Sequence, residues 1–357
     1  MQSANAVQLP ERQRLILKEI VDRYIRLREP VSSRMILEDY GLTVSSATVR
    51  NDMNDLEAAG FIEKPYSSSG RIPTRKGYRF FVDWLLDLSD LTREERLEIV
   101  EMVGFRCLDV EQTIRQTAFL LGNITGCASF VIPPRPEQTK LDRVVLLRMD
   151  ERLAFLLILS DIGIVEHGLV PLDDDLAPNE IDHIMRLIND NLPGVALSDV
   201  RSLFDVEEPD GWYERSARQA ILVLQRLLQR RLQRPVRFDG LLNLTDALQQ
   251  AAPERAMSDF ASFSRAVRDE VGFIKAVSVA RGEQAGIVVS IGDFPLPGLE
   301  EFSVVSAGYR PHGGAIGVIG PLWMDYGRAL STVSYVANRL EGLLMNSAAR
   351  EAGGMDE

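Results

Sequence analysis

Three features of this 357-residue chain predict an α+β protein that begins with a winged helix-turn-helix. Across residues 10–60 the apolar positions recur at helical spacing in three blocks, separated by Pro, Gly or Ser. Residues 64–79 form a hairpin-like segment with five cations and no carboxylate. Beyond residue 128, short apolar runs bounded by turn residues alternate with helical patterns, as antiparallel strands packed with helices do.

The first helix is read from Ile16, Ile20, Tyr24 and Leu27, which share one face while charges fill the other. Glu29-Pro30 ends it, because proline lacks the N–H that the ladder needs and restricts the residue before it. Ser32 or Ser33 can cap a short second helix through Asp39, and Gly41 suits the left-handed position after it. Residues 43–45 make the turn, and Ser45 or Ser46 caps a third helix. There Val49, Met53 and Leu56 form a narrow apolar stripe for packing on the first two helices. Gly60 closes that helix, and Phe61-Ile62 open the wing.

Charge is divided unevenly. The formal net charge is -12, yet residues 1–80 hold 13 Lys and Arg against 10 Asp and Glu, and the remainder holds 27 against 42. A basic head on an acidic body implies a polyanionic partner for the head alone. Cations in the hairpin would neutralise phosphates and release counterions, which strengthens binding without reading sequence. Side chains on the helix ahead of it would contact base edges. The DNA-binding candidates are therefore Ser46, Ala47, Thr48, Arg50, Asn51 and Asn54 on the third helix, with Lys64, Ser69, Arg71, Arg75, Lys76 and Arg79 in the wing and its exit. A single amphipathic helix has a polar face that is merely wet. The succession of helix, turn, helix and basic hairpin is what favours DNA. Small residues at 67–70 admit close approach to a backbone, and Arg71 is expected to project there into a phosphate or the minor groove.

The helical pattern continues out of the wing over 78–88, and Thr92 can cap a long helix toward Leu121. A strand is read at 128–132, stopped by Pro133-Pro134, and a three-stranded meander across 144–170. Helices follow at 178–191, 197–203 and 212–233, then an alternating stretch at 236–244 and a helix near 260–271. Strands at 287–291, 302–309 and 315–319 precede a closing helix over 325–345. Arg226, Arg230, Arg231 and Arg234 on the 212–233 helix and its end read as cations favoured at a helix C-terminus rather than as a second nucleic-acid patch, because the acidic 205–210 stretch is close.

Several functions are disfavoured. Cys107 and Cys127 stand in apolar surroundings and read as reduced core thiols, while His167, His183 and His312 lack metal-ligand spacing. No metal and no cofactor is expected. Residues 286–292 match G-x-S-x-G only superficially, since position 288 is valine, and Gly314, Gly317 and Gly320 fit neither a dinucleotide loop nor a P-loop. Catalysis is not expected. An apolar run of about 18 residues and a signal segment are both lacking, so a cytoplasmic protein without membrane contact is expected.

Val44-Ser45-Ser46-Ala47-Thr48-Val49-Arg50-Asn51-Asp52-Met53, Leu56-Glu57-Ala58-Ala59-Gly60, Ser69-Gly70-Arg71-Ile72-Pro73-Thr74 and Gly77-Tyr78-Arg79 closely resemble the bacterial heat-inducible repressor family HrcA. The resemblance returns in Ile291-Gly292-Asp293, Gly317-Val318-Ile319-Gly320-Pro321 and Met324-Asp325-Tyr326. Leu322-Trp323 stands where the family usually has Thr-Arg, and Tyr66-Ser67 where His-Thr is usual. The resemblance implies a winged helix-turn-helix on 1–90, a GAF-like antiparallel sheet domain on 91–141 and 235–349, an inserted α+β dimerisation domain on 142–234, and a disordered tail at 350–357. It further implies a homodimeric repressor of chaperone operons that binds an inverted-repeat operator (CIRCE) in double-stranded DNA. Its activity would be maintained by the GroEL-type chaperonin and lost on heat stress. The alternative is a regulator whose GAF-like domain binds a small molecule near 291–293 and 312–314.

Overall fold

The computed structural model describes residues 9–40, 45–65, 70–88, 90–104, 110–134, 139–150, 152–161, 163–171, 178–197, 199, 236–281, 286–310 and 313–352. The head contains α1 (Glu11–Leu27), α2 (Ser33–Tyr40) and α3 (Ser46–Ala58), then a two-stranded wing of β1 (Ile62–Glu63) and β2 (Ile72–Pro73). Next comes α4 (Arg75–Phe80), which runs on as a π-helical segment over Phe81–Leu85. Ser45 caps α3, its Oγ accepting the Thr48 N–H at 3.2 Å. Val49, Met53 and Leu56 share a core with Ile16, Leu17 and Ile20 of α1, so the apolar stripe decides how α3 is seated. Arg12 reinforces that seating with a two-pronged pair to the buried Asp52, Nε to Oδ2 at 2.6 Å and Nη2 to Oδ1 at 3.1 Å. At the far end Gly60 takes φ 76, and the Phe61 N–H reaches back to the Leu56 carbonyl at 2.9 Å.

The wing is tied down at its base. Val31 and Arg71 exchange two backbone hydrogen bonds of 2.8 Å each. A Cβ on Gly70 would lie 2.5 Å from the Val31 carbonyl oxygen, so only glycine lets the chains approach this closely.

The body continues with α5 (Arg93–Gly104), α6 (Val110–Thr125), β3 (Ala128–Ile132), β4 (Leu141–Arg148), β5 (Leu153–Ser160), β6 (Gly163–Pro171) and α7 (Pro178–Asn191). After these come β7 (Arg237–Asp239), α8 (Leu241–Ala251), α9 (Pro253–Arg268), α10 (Glu270–Arg281), β8 (Ile287–Ile291), β9 (Phe302–Tyr309), β10 (Gly314–Pro321) and α11 (Tyr326–Ala352). Thr92 and Glu95 form a capping box at the start of α5, Thr92 N–H to Glu95 Oε2 at 2.8 Å and Glu95 N–H to Thr92 Oγ1 at 3.2 Å.

The strands make a five-stranded antiparallel sheet in the order β7-β3-β10-β9-β8 and a separate three-stranded sheet β4-β5-β6. Because β3 and β7 are neighbours, with Phe130 opposite Phe238, everything from β4 to α7 is inserted between two adjacent strands. The large sheet has two covered faces. Ala128, Phe130 and Ile132 of β3 join a core with Leu244 and Leu248 of α8, Phe263 of α9 and Phe273 of α10. Val131, on the opposite face, joins a core that also holds α6, α11 and the whole head.

The structure departs from the sequence expectations at several points. Residues 236–244 are strand only at Arg237–Asp239; Gly240 turns the chain at φ 67, and Leu241, Leu244 and Leu248 then fall at helical spacing. The one helix expected near 260–271 is two, because Asp269 accepts the Gly272 N–H at 2.9 Å and starts α10 afresh. The helix expected to reach Leu121 is described as α5 and α6 on either side of 105–109. The closing helix runs past 345 to Ala352, into the stretch expected as a tail. The expected helix 212–233 with its arginines, most of 197–203, and Cys107 lie outside the described residues.

Candidate nucleic-acid interface

Along α3, Ala47, Arg50, Asn51 and Asn54 recur at spacings of three and four, so they share one face, and all four are exposed. Ser46 is exposed beside them, and Thr48 is half-buried with its hydroxyl 2.9 Å from Ser45 Oγ. Among the described residues neither Arg50 nor Asn51 has a hydrogen-bond or ion-pair partner. These side chains are presented to solvent with their polar groups unspent.

The wing cations are placed differently. Arg71 does not project from the tip as expected: it is 8% exposed, and its Nη2 meets Asn54 Oδ1 at 3.0 Å and Glu57 Oε2 at 2.6 Å. The two-bond bridge to Val31 explains this, since it draws residue 71 into the base of the wing and lays its side chain across α3. Lys64 is exposed, with Nζ 3.9 Å from Glu57 Oε2, and Ser69 lies outside the described residues. Lys76 Nζ donates to the Ala59 carbonyl at 2.7 Å and sits 4.4 Å from the Phe61 ring centroid, a cation placed where a helix C-terminus favours one.

Arg75 and Arg79 reach the body instead. Arg75 Nη2 donates to Glu301 Oε1 at 2.7 Å, and its side chain crosses Gly292, where a Cβ would come within 2.8 Å of Arg75 Cδ. Arg79 Nη1 donates to the Val289 carbonyl at 2.9 Å, and its Nη2 lies 3.3 Å from Asp293 Oδ2. The partners are 210 to 226 residues away, so spacing in the wing could not reveal them. Two further contacts complete the junction. Arg28, in the left-handed region at φ 60, sends Nη1 to the Trp323 carbonyl at 2.8 Å, and burial lowers its guanidinium pKa. Tyr78 and Tyr326 place their ring centroids 6.1 Å apart. The motif residues Ile291-Gly292-Asp293 and Met324-Asp325-Tyr326 therefore lie where the body receives the head.

Among the described residues no group of three or more His, Cys, Asp or Glu could hold a metal ion, and no helix is long and apolar enough to cross a membrane. Cys127 is buried as a free thiol, and burial pushes its pKa up to about 12.

A polar, exposed helix face beside a short wing, on a head seated against an α+β body, is the build of a winged-helix transcription regulator. The family model described as "Winged helix-turn-helix transcription repressor, HrcA DNA-binding" matches residues 8–83, and that described as "HrcA protein C terminal domain" matches 111–330. The chain belongs to the HrcA family. It is similar to a protein of Halalkalibacterium halodurans named heat-inducible transcription repressor HrcA, with 34% identity over 342 residues, 94% of this chain and 98% of that one. A protein of the same name from Syntrophobacter fumaroxidans is 32% identical over 343 residues, 94% and 97% of the two chains. A solved structure described as "Crystal structure of a hypothetical protein at 2.2 A resolution" superposes with a TM-score of 0.73 at 27% identity, covering 95% of this chain and 100% of that one.

Proposed function

We propose that this chain is a heat-inducible transcription repressor that reads an inverted-repeat operator with α3. The observation that carries it is the exposed face of α3, whose Arg50 and Asn51 have no partner among the described residues. Ser46, Ala47, Thr48, Arg50, Asn51 and Asn54 read base edges in the major groove, and Lys64 and Ser69 take phosphates beside it. Arg71, Arg75, Lys76 and Arg79 hold the wing and the head in place in this arrangement, given the partners each engages.

The operator is the CIRCE inverted repeat upstream of chaperone operons, and a homodimer meets its two halves with two copies of α3. The three-stranded sheet supports a partner copy. Leu147, Phe155 and Leu169 stand in one cross-strand row and Val145, Leu157 and His167 in the next. On that face Leu147 is 57% exposed and Leu169 59%, and an open apolar surface of this kind marks a protein–protein contact. The GroEL-type chaperonin maintains the active form, and heat ends repression by destabilising the folded dimer or by drawing the chaperonin away. Such a repressor works in the cytoplasm, with no small-molecule effector.

Substitution at the reading face tests the assignment. Arg50→Ala and Asn51→Ala should each reduce the preference for operator over random duplex by about tenfold, the scale of one good base contact. A preference unchanged in both variants would mean that α3 does not read the bases with this face.

A further inference from the structure

We infer that Asn54 determines specificity at one operator position, because Arg71 holds its amide oxygen and so turns the Nδ2 donor toward the DNA. This rests on the reading of α3 as the recognition helix. Asn54 lies on the exposed face, in line with Ala47, Arg50 and Asn51. Arg71 Nη2 is 3.0 Å from its side-chain amide. A guanidinium carries only donors, so the amide atom that faces Arg71 is the oxygen, and Nδ2 is turned away from it. Among the described residues Nδ2 has no acceptor of its own.

Arg71 is itself fixed before any DNA arrives. It is 8% exposed, its backbone is pinned to Val31 by two bonds of 2.8 Å, and the same Nη2 forms an ion pair with Glu57 Oε2 at 2.6 Å. An asparagine left free to turn reads adenine with both amide groups, donating to N7 and accepting from N6. With Oδ1 held by Arg71, the amide is not free to turn into that pairing. The Nδ2 donor suits guanine N7 and O6 or thymine O4; at adenine it meets N7 alone beside an amino group, and at cytosine only an amino group. Orientation fixed in advance also spares the cost of ordering the side chain on binding.

The test is selection of full-length protein, with the GroEL-type chaperonin present, against a randomised duplex library, scored position by position. Wild type should show one position in each half-site that prefers guanine or thymine by roughly tenfold. Asn54→Ala should lose that preference alone. Asn54→Asp keeps an oxygen for Arg71 and presents a second one to the DNA, so the same position should move toward adenine or cytosine. Arg71→Leu frees the amide and should admit adenine there; if that variant does not fold, the two Asn54 variants decide. A wild-type motif that both Asn54 variants reproduce unchanged overturns the inference and leaves the repressor reading standing. Enrichment of no motif by wild type removes the repressor reading, and the inference with it.

Discussion

Replacing Tyr326 by phenylalanine removes one buried oxygen and leaves the ring in place. Tyr326 opens α11 and is fully buried, with its hydroxyl 2.7 Å from Ser303 Oγ and 2.6 Å from the Leu322 carbonyl. A phenol has one hydrogen and a carbonyl only accepts, so Tyr326 donates to Leu322 and Ser303 donates to Tyr326. Burial raises the hydroxyl pKa further above its ordinary value, so the group stays a neutral donor at physiological pH. Phenylalanine breaks both bonds and strands the hydroxyl of Ser303, itself fully buried in β9. A buried group left unsatisfied costs about 1–3 kcal/mol. Leu322 is half-buried, so water can reach its carbonyl and that loss sits at the low end. The total comes to about 2–4 kcal/mol. For a folding unit of about 150–250 residues, 1 kcal/mol moves Tm by about 2–4 °C, so the body transition should fall by about 4–16 °C. Calorimetry of the full-length protein measures that fall, and operator binding followed against temperature should shift with it, since Tyr326 also meets Tyr78 of the head. A Tm within about 1 °C of wild type would refute the relay.

Other outcomes follow from the same geometry. Glu19 is 4% exposed, its Oε1 has no hydrogen-bond partner, and burial raises its carboxyl pKa. The folded state therefore favours the protonated form, and stability falls as pH rises from the unfolded value through the raised one. Glu19→Gln should be the more stable protein at neutral pH, with the gap closing toward about pH 4; melting curves that run parallel at every pH would contradict this. Arg79→Met removes the bond to the Val289 carbonyl and the pair to the exposed Asp293, and should loosen the head on the body by about 1 kcal/mol. Hydrogen exchange should quicken in α4 and β8, and unchanged exchange there would show the junction does not depend on it. Cys127, its thiol pushed up to about 12 by burial, should resist alkylation in the native protein and react only on unfolding, measured in a Cys107→Ser background. Modification of folded protein at neutral pH would show that the thiol is accessible.

The head was legible because each of its boundaries is a local event. Ser45 caps α3, Gly60 ends it and Pro30 closes off α1, and each acts within a turn of its own position. The meander was legible from its apolar runs and the polar turns between them, whereas the alternate burial along β5 was not, since Leu153 to Leu159 are apolar on both faces. Residues 236–244 were misleading for a physical reason. Val236, Phe238, Leu242 and Leu244 do alternate, but Gly240 bends the chain between a three-residue strand and a helix. The site divides in the same way. The exposed face of α3 follows from helical period and from Val49, Met53 and Leu56 being buried opposite it. The fate of Arg75 and Arg79 does not, since Glu301, Val289 and Asp293 become their neighbours only when the chain folds. The left-handed backbone of Arg28 likewise reflects tertiary demand, its guanidinium being drawn to Trp323.

Operator reading by this chain is tested most simply by a binding titration of the full-length protein across a range of salt, comparing the CIRCE inverted repeat with a scrambled duplex, with and without the GroEL-type chaperonin. Tight binding is expected that prefers the inverted repeat at every salt, weakens as salt rises, and is strengthened by the chaperonin. Equal, weak binding to the two duplexes under all of these conditions would contradict it.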